Sequence, residues 1–340
     1  MGVFFFRYYR DGQRFHSHDI YLKVWDYECV SDISQQAEQM VTLFKQRQND
    51  ICTALSSVEP SGFVTDTWER SGGGGGITRV VQGDCIEKGG VNTSQVHGTI
   101  SESERPMFSQ LVAKVDPHFV LDNDSQFFAT GISLVLHPKN PWVPTVHANY
   151  RYFQVRNGQD QQLWWIGGGA DLTPYYLIED DAQHFHQVHY NVCEAYKPGS
   201  YGVFKQACDD YFYLPHRKET RGVGGIFLDY LYPDYQALFQ FVSQASSAFI
   251  DAYVPIVEAR KDMDYTPEQV HWQRLRRGRY AEFNLVYDRG TLFGLKTGGR
   301  IESILMSMPP HAIWAYDHVP QSGSPEADLL QVVQSPKEWM

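Results

Sequence analysis

Residues 133–151 read SLVLHPKNPWVPTVHANYR, two alternating runs around a proline-rich break, and this stretch decides the fold class. Side chains two apart on a strand share a face. Ser133, Val135 and His137 therefore point one way, and so do His147, Asn149 and Arg151. Ala148, Tyr150 and Tyr152 point the other way. Three prolines make the link a loop. Antiparallel pairing with His137 opposite His147 puts Val135 opposite Asn149 and Ser133 opposite Arg151. Ser133, His137, His147, Asn149 and Arg151 then lie on one sheet face. Such a face is either the solvated side of an edge hairpin or a site that joins a proton-transfer group to an anion clamp. Burying that many polar groups without partners is costly.

Around this hairpin the alternation predicts more strands, at 77–81, 85–91, 162–166 and 226–231. Residues 280–287 and 291–296 read as a hairpin turning at Asp288-Arg289-Gly290, and 301–306 as one more strand. The apolar positions Ala37, Met40, Val41, Phe44, Ile51 and Leu55 mark a helix from Ser34. Further helices are expected over 181–196, 200–212 and 235–261, the last with a kink at Pro255. Thr266-Pro267-Glu268-Gln269 is a capping box. Strands outnumber the β-α-β spacings that a parallel sheet needs. The expectation is an α+β fold: one domain over 34–340, with a large, mostly antiparallel sheet covered by helices. Residues 1–33 show no clean period and form an N-terminal extension.

Composition narrows the function. Of 340 residues, 42% are hydrophobic and 20% charged, which rules out a disordered chain. Aromatic residues make up 14%, suggesting a large flat interior or a site for a big flat ligand. The net charge of −11 argues against a nucleic-acid partner, so an anionic substrate would need a local cluster of arginines. No apolar run reaches the ~20 residues of a transmembrane segment. Cys29, Cys52, Cys85, Cys193 and Cys208 are odd in number and scattered, which fits a reducing, cytoplasmic setting. If residues 1–33 act as a targeting segment, a mitochondrial intermembrane or plastid location is the alternative.

Other clusters admit two readings each. Gly167-Gly168-Gly169 lets a backbone or ligand approach closely, and Asp171, placed at the strand end, either receives N–H donors or caps a turn. His184, His186, His189 and His216 are either a metal site, with His137 and His147, or solvated and core imidazoles. The run 296–300, KTGGR, either holds a carboxylate or forms an exposed turn. Gly72–Gly76 lacks the following Lys-Ser/Thr of a phosphate loop and reads as flexible backbone over a ligand. Arg274, Arg276, Arg277 and Arg279 read as structural cations at a helix end.

Longer segments then carry a resemblance. WERSGGGGGITRVVQGDCIEKGGVNTSQVHG (68–98), GISLVLHPKNPWVPTVHANYRYF (131–153), WWIGGGADLTPYY (164–176), LPHRKETRGVGGIFLDYL (214–231), RYAEFNLVYDRGTLFGLKTGGRIESILMSMPP (279–310) and GSPEADLL (323–330) resemble the oxygen-dependent coproporphyrinogen III oxidase family, from about residue 38 to near the C-terminus. The resemblance implies a flat antiparallel sheet sandwiched between helices, and a homodimer with a contact in the 280–306 region. It implies decarboxylation of the ring A and B propionates of coproporphyrinogen III to vinyl groups, giving protoporphyrinogen IX. Molecular oxygen is the co-substrate, with no flavin or nicotinamide. By the same resemblance His147 is a proton donor, Asp171 meets the pyrrole nitrogens, and Ser133, Asn149, Tyr150, Arg151, Gly298, Gly299 and Arg300 contact substrate. His137, His147, His186 and His216 match positions assigned to a divalent metal in bacterial members. A histidine-ligated metal oxygenase and a non-catalytic tetrapyrrole-binding module are the rival classes.

Overall fold

The computed structural model describes residues 34–340 apart from 297; the expected N-terminal extension lies outside the described residues. Helix α1 (Gln35–Leu55) starts where the Ser34 side chain accepts the Ala37 N–H. Strands β1 (Val64–Glu69), β2 (Gly74–Val81) and β3 (Ile86–Thr99) follow, then α2 (Arg105–Val112), β4 (Gln126–Pro138), β5 (Thr145–Arg156) and β6 (Gln162–Thr173). Helices α3 (Glu179–Tyr196) and α4 (Ser200–Tyr211) precede the short pair β7 (Tyr213–Leu214) and β8 (Glu219–Thr220), and then β9 (Gly224–Leu231). The chain continues as α5 (Tyr235–Arg260), α6 (Pro267–Val286), α7 (Arg289–Lys296), α8 (Ile301–Leu305) and α9 (Pro325–Gln334).

One seven-stranded sheet runs β1-β2-β3-β4-β5-β6-β9, antiparallel throughout. This is the α+β sandwich expected. One face packs on α1 and α5: Ser34 Oγ donates to Gln154, Tyr253 OH to the Pro144 carbonyl, and Tyr235 meets Tyr152 edge-on. The other face is covered at one end by α2, with the Phe108 ring tilted against Phe127 and Phe153, and elsewhere by α6 to α8. Helix α4 lies along β9 and covers that sheet edge, where unpaired backbone would otherwise be open to another chain. No helix among the described residues is long and apolar enough to cross a membrane.

Three expected strands are helices. Residues 280–286 belong to α6, which Tyr287 caps and whose start is the capping box of Thr266 and Gln269. Its buried positions Leu275, Arg276, Arg277, Tyr280, Ala281, Phe283 and Asn284 recur at helical spacing, a period that a short aromatic-rich window can hide. The Asp288-Arg289-Gly290 turn is instead the start of α7: Asp288 Oδ2 accepts from the Thr291 N–H and hydroxyl, the work of an N-cap. Residues 301–305 form α8, with no fully buried side chain. The basic run is likewise mid-helix. Arg276 pairs with Glu219 at 2.8 Å and Arg277 with Glu87 at 2.6 Å, so these cations are structural through burial and pairing rather than through the helix dipole.

Candidate active site

Strands β4 and β5 pair two residues away from the expected register: Ser133 faces Asn149, Val135 faces His147, and Gly131 faces Arg151. The link closes sooner than its length suggests. Asn140 accepts the Trp142 N–H and its carbonyl takes the Val143 N–H, so β5 begins at Thr145. His137 then lies beside Thr145, 3.0 Å from its hydroxyl. A two-residue shift preserves parity, and the polar set stays on one face.

The triple glycine is not a turn. It lies within β6, between β5 and β9, with Asp171 inside the strand rather than at its end. A Cβ at Gly169 would stand 2.1 Å from the Ile226 carbonyl, so no other residue fits there. Across the sheet, Asp66, Thr78, Asn92, Ser133, Asn149, Gly169 and Phe227 form one register row. Trp68, Gly76, Ser94, Gly131, Arg151 and Gly167 form the next. Gly76, expected in a flexible loop, is thus in a strand. Glycines at 76, 131, 167 and 169 thin out the side chains of a floor on the face shared by Ser133, Asn149 and Arg151, with the Trp68 ring lying over Gly76 and the Asp229–Arg151 pair over Gly167.

Cations rim this floor. Arg151, its side chain 37% exposed, donates to Asp229 at 2.8 Å and to Asn149 at 3.3 Å. A Cβ on Gly167 would lie 2.6 Å from that Asp229 oxygen, so the glycine makes room for the pair. Arg289 reaches the other Asp229 oxygen at 3.4 Å and lies over the Tyr211 ring. Arg300, just before α8, pairs with Asp66 on β1. Gly298 and Gly299 link α7 to α8 rather than turning a hairpin, and Gly298 has a left-handed φ of 69°.

Beside the rim runs a chain of buried charge. His147 Nδ1 is 2.7 Å from Asp171 Oδ1, and Arg221 grips both Asp171 oxygens at 2.9–3.2 Å. Both Arg221 and Asp171 are 2% exposed, while His147 is 21% exposed. Burial alone would raise the Asp171 pKa. The Arg221 guanidinium and the His147 contact overcome it and hold the carboxyl below its usual range. Arg221 is boxed by Phe212, Tyr280 and Phe283, with ring centroids 4.0–5.0 Å away, and donates to Asn284 Oδ1 at 2.8 Å. The resulting unit is an ionised carboxylate fixing an imidazole whose Nε2 remains to exchange a proton.

Two sets of expected site residues are not brought together. Tyr150 points to the opposite face and is fully buried there, so only its backbone can serve the floor. The four proposed metal ligands do not converge. His137 spends its ring nitrogens on Thr145 and the Ser307 carbonyl, His186 on Tyr201 and the Val223 carbonyl, and His216 on Tyr287 and Glu282. Burial pushes the His137 imidazole well below its ordinary pKa and His186 down to about 3. Among the described residues no three metal-ligating side chains cluster. The set does not fit a single metal centre. His184 and His189 also bond to backbone carbonyls, of Asp251 and Phe185.

Residue-level reasoning missed Arg221, Asp229, Asn284 and Arg289. A signal for Asp229 existed: Phe227 and Asp229 alternate with buried Ile226 and Leu228 in β9. Arg221 sits in a short connection without any period.

A sequence profile described as coproporphyrinogen III oxidase matches residues 39–339. Coproporphyrinogen-III oxidase 1, chloroplastic, of Arabidopsis thaliana is 47% identical over 317 residues, covering 91% of this chain and 81% of that protein. The oxygen-dependent coproporphyrinogen-III oxidase of Drosophila melanogaster is 48% identical, with coverages of 92% and 80%. The mitochondrial oxygen-dependent enzyme of Homo sapiens is 46% identical, with coverages of 89% and 67%.

Proposed function

The chain belongs to the coproporphyrinogen III oxidase family, and on that premise we propose that it catalyses the oxygen-dependent decarboxylation of the ring A and B propionates of coproporphyrinogen III to vinyl groups, giving protoporphyrinogen IX in porphyrin biosynthesis. The observation that carries this reading is the glycine floor rimmed by Arg151, Arg289 and Arg300 beside the His147–Asp171–Arg221 chain. A flat tetrapyrrole with four carboxylates calls for a flat surface and guanidinium groups at its perimeter.

In this reading Arg151 and Arg300 exchange Asp229 and Asp66 for substrate propionates. Ser133 and Asn149 accept or donate hydrogen bonds at the floor, and Gly298 and Gly299 let backbone N–H groups approach a carboxylate. Asp171 stays ionised and stabilises positive charge as it develops on an electron-rich pyrrole. It also fixes His147, whose Nε2 moves the proton. The macrocycle's burial and orientation supply the rest of the rate. Molecular oxygen is the oxidant, and neither flavin nor nicotinamide takes part.

A homodimer is part of the proposal. Leu285, Val286, Leu295 and Ile301 are large apolar side chains exposed along α6 to α8, Ile301 by 57%, and a partner covering them would satisfy a patch that a monomer rarely leaves open. The chloroplastic and mitochondrial designations of the relatives favour an organellar setting over the cytoplasmic one.

Aerobic and anaerobic incubations with coproporphyrinogen III test the function, with carbon dioxide release and chromatographed product as readouts. Turnover only with oxygen is expected. Tight porphyrinogen binding without oxygen uptake would make the protein a binder, and activity tied to stoichiometric iron or copper would make it a metal oxygenase.

A further inference from the structure

Arg221, which holds Asp171, lies in a connection without regular structure. Strand β8 ends at Thr220 and β9 begins at Gly224, so residues 221–223 belong to neither strand. The place of the guanidinium is therefore set by what grips this connection. Two grips are backbone: the Arg221 N–H donates to the Phe212 carbonyl at 3.0 Å, and the Val223 N–H to the Leu172 carbonyl at 2.9 Å. A Cβ on Gly222 would stand 2.2 Å from that Leu172 carbonyl, so the connection lies hard against β6. Two more grips come from α9 and the segment after it. Thr220 Oγ1 is 2.8 Å from the Gly222 carbonyl and 3.1 Å from the Val333 carbonyl, its one proton shared between them. The Val223 carbonyl accepts from Trp339 Nε1 at 3.2 Å and from His186 Nε2 at 3.1 Å. A carbonyl only accepts, so His186 carries its proton on Nε2 and takes the Tyr201 hydroxyl on Nδ1. The Trp339 ring is stacked on that imidazole, centroids 5.6 Å apart. Lys337 lies over the indole at 4.8 Å and pairs with Glu179 at 2.8 Å. Trp339 is 6% exposed, a fitted part of the interior.

We propose that Trp339 and Thr220 are positioning residues for the reaction: by holding the two ends of this connection they set where the Arg221 guanidinium stands, and through it the Asp171 carboxylate and the His147 ring. The inference rests on the function proposed above. Arg221 meets both Asp171 oxygens, through Nε and Nη2. Such a fork depends on alignment: a guanidinium that slides keeps its charge but loses one of its paired bonds. Asp171 is then free to turn, and the His147 ring that it fixes at 2.7 Å turns with it. The side-chain hydrogen bonds of Thr220 and Trp339 go to the connection and to α9, not to Arg151, Arg289 or Arg300. Their contribution therefore falls on the reacting groups and not on the clamps for the substrate carboxylates.

The test uses the full chain. Trp339→Phe keeps a stacked ring and removes the N–H. Thr220→Val keeps the shape and removes the hydroxyl. Ile51→Val is the control, since Ile51 is 2% exposed on α1, which packs on the opposite sheet face. Each protein is measured for kcat and KM with coproporphyrinogen III in air, for anaerobic porphyrinogen affinity and for thermal unfolding. A misplacement of about 1 Å by a change far from the chemistry can cost about 10²-fold. The partial release made here should therefore lower kcat at least about fivefold, with anaerobic affinity within about twofold of wild type. The double variant should lose less than the product of the two single losses, because both act on one connection. The control should lose thermal stability and keep its kcat. Should one variant fold poorly, the other carries the test. Wild-type kcat in the folded variants makes Trp339 and Thr220 core residues only and overturns the proposal. So does a loss of affinity that matches the loss of kcat, or a control that loses kcat as they do. Wild-type carbon dioxide release in air is read first. Its absence overturns the functional reading, whereas an active wild type beside equally active variants overturns the positioning alone.

Discussion

Replacing Arg221 by Met should destabilise the protein more than almost any other single change, and the effect should be largely reversed by also replacing Asp171. The guanidinium occupies an apolar box of Phe212, Tyr280 and Phe283, which a methionine fills without strain. What is lost is the partner of Asp171, a carboxylate 2% exposed. Removing one member of a buried pair costs about 3–5 kcal/mol because the remaining charge is uncompensated. In Arg221→Met/Asp171→Leu no buried charge remains. Only the His147 contact and the Arg221–Asn284 bond are missing, and each is worth about 1 kcal/mol. The double variant should therefore be more stable than the Arg221→Met single variant, with a coupling of about 2 kcal/mol or more. Urea unfolding at constant m gives the numbers. A pH series adds a check on sign. In the wild type the Asp171 pKa is lowered, so its contribution is present above the unfolded carboxyl value and is lost as pH falls through the folded one. In Arg221→Met burial dominates and raises the carboxyl pKa. That variant therefore recovers stability as pH falls through the raised value, and the gap to wild type narrows with acid. A single variant losing under 1 kcal/mol, or a double variant as unstable as the single, would refute the reasoning.

Arg151→Ala should cut turnover by the equivalent of about 2–3 kcal/mol, the value of a charge-assisted contact, while thermal unfolding barely moves. Wild-type turnover would remove Arg151 from the rim. Gly169→Ala drives a Cβ into the Ile226 carbonyl and should destabilise by about 3 kcal/mol, seen as a lowered urea midpoint; a neutral effect would mean that β9 can shift. Burial lowers His186 to about 3 and His189 to about 4, so the folded state disfavours their protonation. Stability should fall as pH drops from the ordinary imidazole range of about 6.5 toward 4, and His189→Phe should flatten that slope in acid titrations of unfolding.

The central hairpin, its polar face, α1, α5 and the capping box of α6 were all legible, because strict alternation and a cap signature are local properties. The register was not. It depends on the turn within 139–144, where Asn140 closes the chain two residues sooner than strand counting implies. Residues 280–306 misled because Tyr280, Phe283 and Tyr287 suit a strand by composition, and only burial against Arg221 and the sheet reveals the helical period. Asp171 was legible as chemistry but misplaced at a strand end, since glycine runs usually signal turns. Here the glycines answer to the carbonyls of neighbouring strands. Arg221 could not be read from pattern at all: its role comes from a carboxylate 50 positions away in sequence.

The strand order also bears on how the molecule can assemble. From β1 to β6 each strand pairs with the next in the chain, so the sheet can zip up hairpin by hairpin from local contacts. The exception is β9, which returns only after α3 and α4. Closing that loop of roughly fifty residues costs about 3–4 kcal/mol of chain entropy before any pairing repays it. Arg221 and Asp229 arrive with this closure, whereas His147, Arg151 and Asp171 are already on the meander. The reactive carboxylate is therefore laid down first and neutralised last. A chain caught before β9 docks holds most of its sheet but an Asp171 without its Arg221 partner, and that species is the one on which weakened variants should accumulate.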